Sequence, residues 1–273
     1  MEVRNILLGM SLSTISPQLV ALGADLAQRF GATLNGLAAA DVSVEPIGAE
    51  WTAALSERYA EERKRIEEAL EGGEAVFTRG VGGQIGRSWR SFITRPTPRL
   101  IEAATRNDLI IIGKASIEDT NEVTRIDAGE LILSTGRPIL ATARGASRVA
   151  AEKVLLAYKD CREARRAVSD ALPFLNHATD ILVVTVQQDD YGAERDSLTD
   201  VIAWLNSHNV KARSEVLPLV ESVGATLKAA AVSIGADLIV SGGYGHTRLR
   251  EWLFGGATLN FLGDPTISHL ISN

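Results

Sequence analysis

The chain has 273 residues, a formal charge of −6, 45% apolar and 23% charged residues, the make-up of one large globular domain or two ordinary ones. An acidic balance argues against a nucleic-acid partner, whose phosphates demand a basic footprint, and no apolar run is long enough to span a bilayer. The single Cys161 rules out an internal disulfide framework, and the opening MEVRNILLGMSLS lacks the layout of a signal peptide, so a cytoplasmic protein is expected.

In chain order, RNILLGMS reads as a strand. SPQLVALGADLAQRFG reads as an amphipathic helix on Leu19, Leu22, Leu26 and Phe30, followed by the strand ATLNGLAAADV. A charged surface helix, WTAALSERYAEERKRIEEALEGG, is expected to stop at its glycines, with EAVFTRGV as the next strand. GVGGQIG (80–86) reads as a mobile loop, a phosphate site being its lesser alternative. The arginines Arg87, Arg90, Arg95 and Arg99 beyond it read as a solvated basic face. The helix PRLIEAATR and the strands DLIIIG and PILATAR complete five strands.

The second half repeats that order. KVLLAYKD, DILVVTVQ, KARSEVLPL and ADLIVSG are strands, EARRAVSDALPFL, RDSLTDVIAWLNSHN and ESVGATLKAAAVSIG are helices, and DPTISHLI is a last strand. NDLIIIG (107–113) matches ADLIVSG (236–242), and GRPIL (136–140) matches GDPTI (263–267), which marks an internal duplication. The small, polar stretch at 144–152 places the boundary. The expected organisation is two tandem doubly wound α/β domains, 1–146 and 147–273, each on a five-stranded parallel sheet.

The stretch with the most chemistry is SGGYGHTRLREWLFGGAT (241–258). Gly242 and Gly245 stand at a strand exit. Thr247 can cap a helix with the apolar stripe Leu249, Trp252 and Leu253; Gly255 and Gly256 break it, and Ala257 with Thr258 can open another. Glycine turns beside helix N-termini can cradle a polyphosphate, and they can equally be ordinary C-caps and turns; spacing alone leaves both readings open. There is no GxxxxGK[ST] loop, no GxGxxG after the first strand of either half, and no SGGxDS, since Gly245 and His246 replace its Asp and Ser. His246 and Arg248 could approach phosphate or face water. His269 and Cys161 read as packing residues.

The spacing G-x2-G-x9-G at Gly242, Gly245 and Gly255, with Asp160 in AYKDCREARRAV, resembles the ATP-binding signature of universal stress proteins, and the resemblance extends over nearly the whole chain as a tandem member. It implies an adenine nucleotide α-hydrolase-like fold with ATP across the carboxyl ends of the strands. By that resemblance Asp160 would meet the ribose or a phosphate-bound Mg²⁺, the backbone at Val186 would read the adenine edge, and Gly242, Gly245, Gly255 and Gly256 would hold phosphates. The family has Ser or Thr after the third glycine; this chain has Gly256, leaving Thr258 to supply a hydroxyl.

The first half keeps Gly113 but has Ser116 in place of Gly245. Its loop carries Glu118, Asp119, Glu122, Asp127 and Glu130, which repel phosphate, and its first strand ends without Asp, so no ATP is expected there. The resemblance further implies domains paired within the chain through the PILATAR and TISHLI strands, with a homodimer open. The function it implies is a nucleotide-dependent stress regulator without a dedicated catalytic set. A nucleotide-free interaction scaffold of the same fold is the alternative, and slow ATP hydrolysis a second one.

Overall fold

The computed structural model describes residues 2–12, 14–43, 53–83, 85–187, 191–243 and 266–273. Two compact units result, one of residues 4–131 and 145–148, the other of residues 1–3, 132–144 and 149–273.

In the first unit β1 (Asn5–Met10), α1 (Pro17–Phe30), β2 (Thr33–Ala40), α2 (Ala53–Val81), β3 (Arg87–Ile93), α3 (Pro96–Ala104), β4 (Leu109–Gly113) and the short α4 (Lys114–Ile117) alternate as βαβ units. The strand order is β3-β2-β1-β4, all parallel, with Leu8 opposite both Gly36 and Ile111. Local chemistry sets the helix ends. The Ser16 hydroxyl accepts from Leu19 N at 3.2 Å, Pro17 supplies the first helical φ, and Gly31 closes α1 at φ 63°.

Two expectations are corrected here. Residues 74–81, read as a strand, continue α2, and residues 87–93, placed beyond a loop, form β3. The glycines at 72–73 do not stop α2, because its inward stripe Ile66, Leu70, Gly73, Phe77 and Val81 keeps helical spacing straight through them. A Cβ at Gly73 would lie 2.7 Å from Ile15 Cδ1, and one at Gly80 2.6 Å from Val20 Cγ1, so these glycines let α2 lie close against α1 and the turn before it. Gly82 at φ 68° then ends the helix, and Arg87 Nη1 donates to its carbonyl.

The chain passes through α5 (Ala128–Thr135) into the second unit, which contains β5 (Ile139–Thr142), β6 (Lys153–Ala157), α6 (Arg162–Leu175), β7 (Asp180–Val186), α7 (Tyr191–Ser207), β8 (Arg213–Leu217), α8 (Val223–Ile234), β9 (Leu238–Gly242) and β10 (Ser268–Ser272). Its order is β5-β10-β9-β6-β7-β8. All neighbours are parallel except β10 on β5, which pair antiparallel as His269↔Ala141, Leu270↔Leu140 and Ile271↔Ile139. Leu155, Leu182, Val184, Ile239 and Ile267 pack against Leu227, Ala230 and Ala231 of α8 on one face. Each fully buried leucine there contributes about 2 kcal/mol by leaving water. The caps of α1 recur in α8: the Ser222 hydroxyl accepts from Ala225 N at 3.1 Å, and Gly235 closes the helix at φ 65°.

Candidate functional site

In the second unit β6 and β9 are neighbours, in register Ala157↔Ser241, while their next partners, β7 and β10, lie on opposite sides. The strand order therefore reverses between β6 and β9, the kind of switch point at whose carboxyl ends ligands of doubly wound sheets bind. Three residues singled out from the sequence stand at these exits. Gly242 is the last residue of β9, Val186 the last of β7 opposite Leu217, and Asp160 follows the end of β6 by three residues, just before the N-cap of α6. Gly245, His246, Gly255, Gly256 and Thr258 lie outside the described residues, as do Thr247 and the helical runs expected around them.

The segment leaving β6 is tied down residue by residue. Tyr158 N donates to Val184 O at 2.8 Å, and the Thr185 hydroxyl donates to Tyr158 O. The carboxylate of Asp160 is engaged through one oxygen, with Oδ1 accepting from Arg165 Nε and Nη2, each at 2.8 Å, and from the Tyr158 hydroxyl at 3.2 Å. No bond to Oδ2 is formed among the described residues, and the side chain is half exposed. Burial raises the Tyr158 phenol above its ordinary pKa, and the Asp160 charge adds to that, so the phenol stays a neutral donor.

Cys161 caps α6 in extended backbone at φ −148°; burial pushes its thiol up, which keeps it from being a reactive thiolate. Glu163 is buried in the first turn of α6. Burial works to raise its carboxyl, yet bonds from its own amide and the Cys161 thiol, with Arg162 at 3.0 Å, hold it below the ordinary range.

Gly242 has a packing reason to be glycine. A Cβ there would lie 2.6 Å from Ala164 N, 2.6 Å from Glu163 C and 3.0 Å from Glu163 Cβ. The exit of β9 thus runs against the backbone of the first turn of α6. A Cβ at Gly243 would meet Ile132 Cγ2 and Ile271 Cγ2, both at 2.9 Å, and its N–H donates to Ser272 O at 2.6 Å. His269 is buried in β10 with Nε2 2.8 Å from the Ser241 hydroxyl, a partner that the sequence did not reveal.

The corresponding exits of the first unit are closed by the chain itself. Ser11, Thr14 and Ser116 form a buried hydroxyl cluster at the ends of β1 and β4. Thr14 Oγ1 accepts from Ser11 N at 2.9 Å and from the Ser116 hydroxyl at 2.8 Å, and donates to Ser11 O at 3.2 Å. Lys114 is also buried, directly after Gly113. The acidic stretch then folds back over the sheet. Asp41 N, just past β2, donates to Val123 O at 3.1 Å, and Asp127 N donates to the Thr97 hydroxyl of α3 at 3.0 Å. Its acids build turns. Asp119 accepts from Asn121 N at 2.9 Å and the Thr124 hydroxyl at 2.8 Å, and Asp127 accepts from Glu130 N at 2.9 Å.

No family model matches the sequence, and no curated protein matches it. Solved structures do. A universal stress protein from Archaeoglobus fulgidus superposes with a TM-score of 0.66 at 14% identity, covering 98% of this chain and 96% of that one. The chain has the universal stress protein fold. A functionally unknown protein from Pseudomonas aeruginosa aligns at TM-score 0.60 and 15% identity, over 99% of this chain and 92% of its own. A putative universal stress protein from the same species aligns at 0.58 and 15%, over 99% and 93%. Agreement over nearly both full lengths makes this a tandem-sized chain of that fold. Among the described residues no helix is long and apolar enough to cross a membrane, and no group of three or more His, Cys, Asp or Glu is placed to hold a metal ion.

Proposed function

We propose that the protein binds ATP, with Mg²⁺ carried on its phosphates, at the β6/β9 strand exits of the second unit, and acts as a nucleotide-dependent regulator. One coincidence carries this reading. The first glycine of the G-x2-G-x9-G spacing is the residue on which β9 ends, beside the point where the strand order reverses. Val186 at the end of β7 offers its backbone to the base. Asp160, half exposed and with Oδ2 unbonded among the described residues, offers a carboxylate oxygen to the ribose or to Mg²⁺. Binding then shifts a conformational or assembly equilibrium, self-association into a homodimer included, by no more than the difference in ATP affinity between the two states.

Calorimetry on the full chain, stripped of nucleotide, tests this. Saturable heat with ATP and Mg²⁺ is expected, lost in Gly245→Val because a side chain there would enter the phosphate path. Absence of heat with the parent protein refutes the reading. A second reading, a nucleotide-free interaction module, is favoured by the packing of Gly242, whose missing side chain is accounted for by α6 alone. The same titration separates the two.

A further inference from the structure

The duplicated units treat one position differently. In the first unit α1 and α2 lie directly against each other, brought close by Gly73 and Gly80. Among the described residues, the helices in the same places of the second unit, α6 and α7, make no comparably close approach. A cavity of about 360 Å³ opens between them and the exit of β6, near the lower end of the roughly 300–1,000 Å³ range of ligand pockets. Four side chains of α7 face it, Ser197, Asp200, Val201 and Trp204.

The lining has a definite chemistry. Val168 of α6 and Val201 of α7 are apolar walls, and Trp204 adds an aromatic surface. Trp204 is held in position by His208, whose ring centroid lies 4.0 Å from the indole and whose Nδ1 is 2.9 Å from the Trp204 carbonyl. Among the described residues of the lining, two carboxylates, Asp160 and Asp200, stand against one cation, Arg165, which is already committed to Asp160 Oδ1. The Asp200 carboxylate forms no ion pair or hydrogen bond among the described residues. An anionic occupant would meet a net negative lining. A cation gains two carboxylate partners and the indole π-face, and so recovers what it loses in leaving water.

We propose that this cavity binds a small organic cation, with an ammonium or guanidinium head toward Asp160 and Asp200 and a short carbon skeleton against Val168, Val201 and Trp204. The cavity shares Asp160 with the proposed nucleotide site but lies on the α7 side of α6, where Arg165 and Val168 face it, and not on the side where Glu163 and Ala164 meet β9, so it is tested on protein stripped of nucleotide.

The experiment follows the indole N–H resonance of Trp204, assigned by its loss in Trp204→Phe, in the full-length protein. n-Butylammonium chloride should shift it saturably with a dissociation constant of about a few millimolar, as a ligand of so few atoms allows. Asp200→Asn, an exposed position that leaves folding intact, should weaken binding by about fivefold or more. Sodium butyrate, of the same length and opposite charge, should give no saturable shift. A non-saturating response to butylammonium, equal affinity in Asp200→Asn, or butyrate binding as well as butylammonium would each overturn the assignment. Gly245→Val should leave the butylammonium response unchanged, so failure of the nucleotide reading and failure of this one are told apart.

Discussion

Replacing Gly242 by alanine separates a glycine kept for a ligand from one kept for the fold. The added Cβ would sit 2.6 Å from two backbone atoms of α6, Ala164 N and Glu163 C, where ordinary contact begins near 3.4 Å. Backbone in the first turn of a helix cannot swing aside as a side-chain tip can, so α6 must retreat from β9 by close to the difference. That retreat loosens Ala164, Ala167 and Ala171, all buried beneath the helix. Overpacking costs about 1–3 kcal/mol, and two backbone clashes put this case near the upper end. For a chain of this size about 3 kcal/mol lowers Tm by about 6–10 °C. Urea and thermal unfolding of nucleotide-free protein measure it. A Gly242→Ala protein that unfolds with the parent while losing only ATP binding would refute the packing argument and assign the glycine to phosphate.

Two further substitutions probe other parts of the structure. Thr14→Val keeps the shape of the side chain but removes the acceptor of Ser11 N and of the Ser116 hydroxyl in a buried cluster, and should cost about 1–3 kcal/mol in a urea titration; a neutral variant would mean the cluster is replaceable by apolar contact. The guanidinium of Arg213, bonded to Asp180 at 3.1 and 3.2 Å, holds that carboxyl below its ordinary range. A depressed carboxyl contributes stability that is present above the unfolded value of about 4 and lost as pH falls through the folded one. Both groups are more than a third exposed, so Arg213→Gln should cost only a few tenths of a kcal/mol at neutral pH and nothing at about pH 2. A deficit of equal size at both pH values would show that the loss is packing.

The alternation was readable because strands are apolar runs such as LIIIG and ILVVTV, and helices carry capping residues, Ser16 and Gly31 around α1, Ser222 and Gly235 around α8. The sequence misled where tertiary contacts decide. Glycines at 72–73 look like a stop, yet Gly73 is needed where α2 passes Ile15, and the chain accepts about 1 kcal/mol of helix propensity for that approach. β3 was missed because it is an edge strand rich in Arg and Ser, with Trp89 stacked on Phe77 at 5.2 Å as its main inward contact. At the site, the position of Gly242 at a strand exit was legible and its contact with α6 was not, since nothing local to SGGYG names a helix eighty residues earlier. Asp160 was legible as a strand-exit acid. Its bonds to Arg165 and Tyr158 depend on the start of α6, and the cavity beyond them depends on the spacing between two helices.

The contrast between the duplicated units gives the chemical logic of the chain. At the β1/β4 exits, the place of Asp160 and of the glycine loop is taken by side chains that bond one another: a threonine hydroxyl between two serines, a buried lysine, and acids spent on turns that carry the backbone across the β2 exit to α3. The hydroxyls and the lysine of that description are buried, while the acids close half-exposed turns above them. At the β6/β9 exits the half-exposed acid keeps one oxygen unbonded, the β9 backbone lies against the start of α6, and no hydroxyl cluster of that kind stands among the described residues. A pair of units that began alike can divide labour this way. On the proposed reading, one unit has internal hydrogen bonds where the other leaves an acid and a strand exit available to a nucleotide. On that argument a nucleotide should raise the unfolding temperature of the second unit and leave the first untouched. Hydrogen exchange with and without ATP should therefore show new protection at β6, β7 and β9 and none at β1, β2 and β4. Equal protection in both units would mean that the hydroxyl cap is no barrier to a ligand.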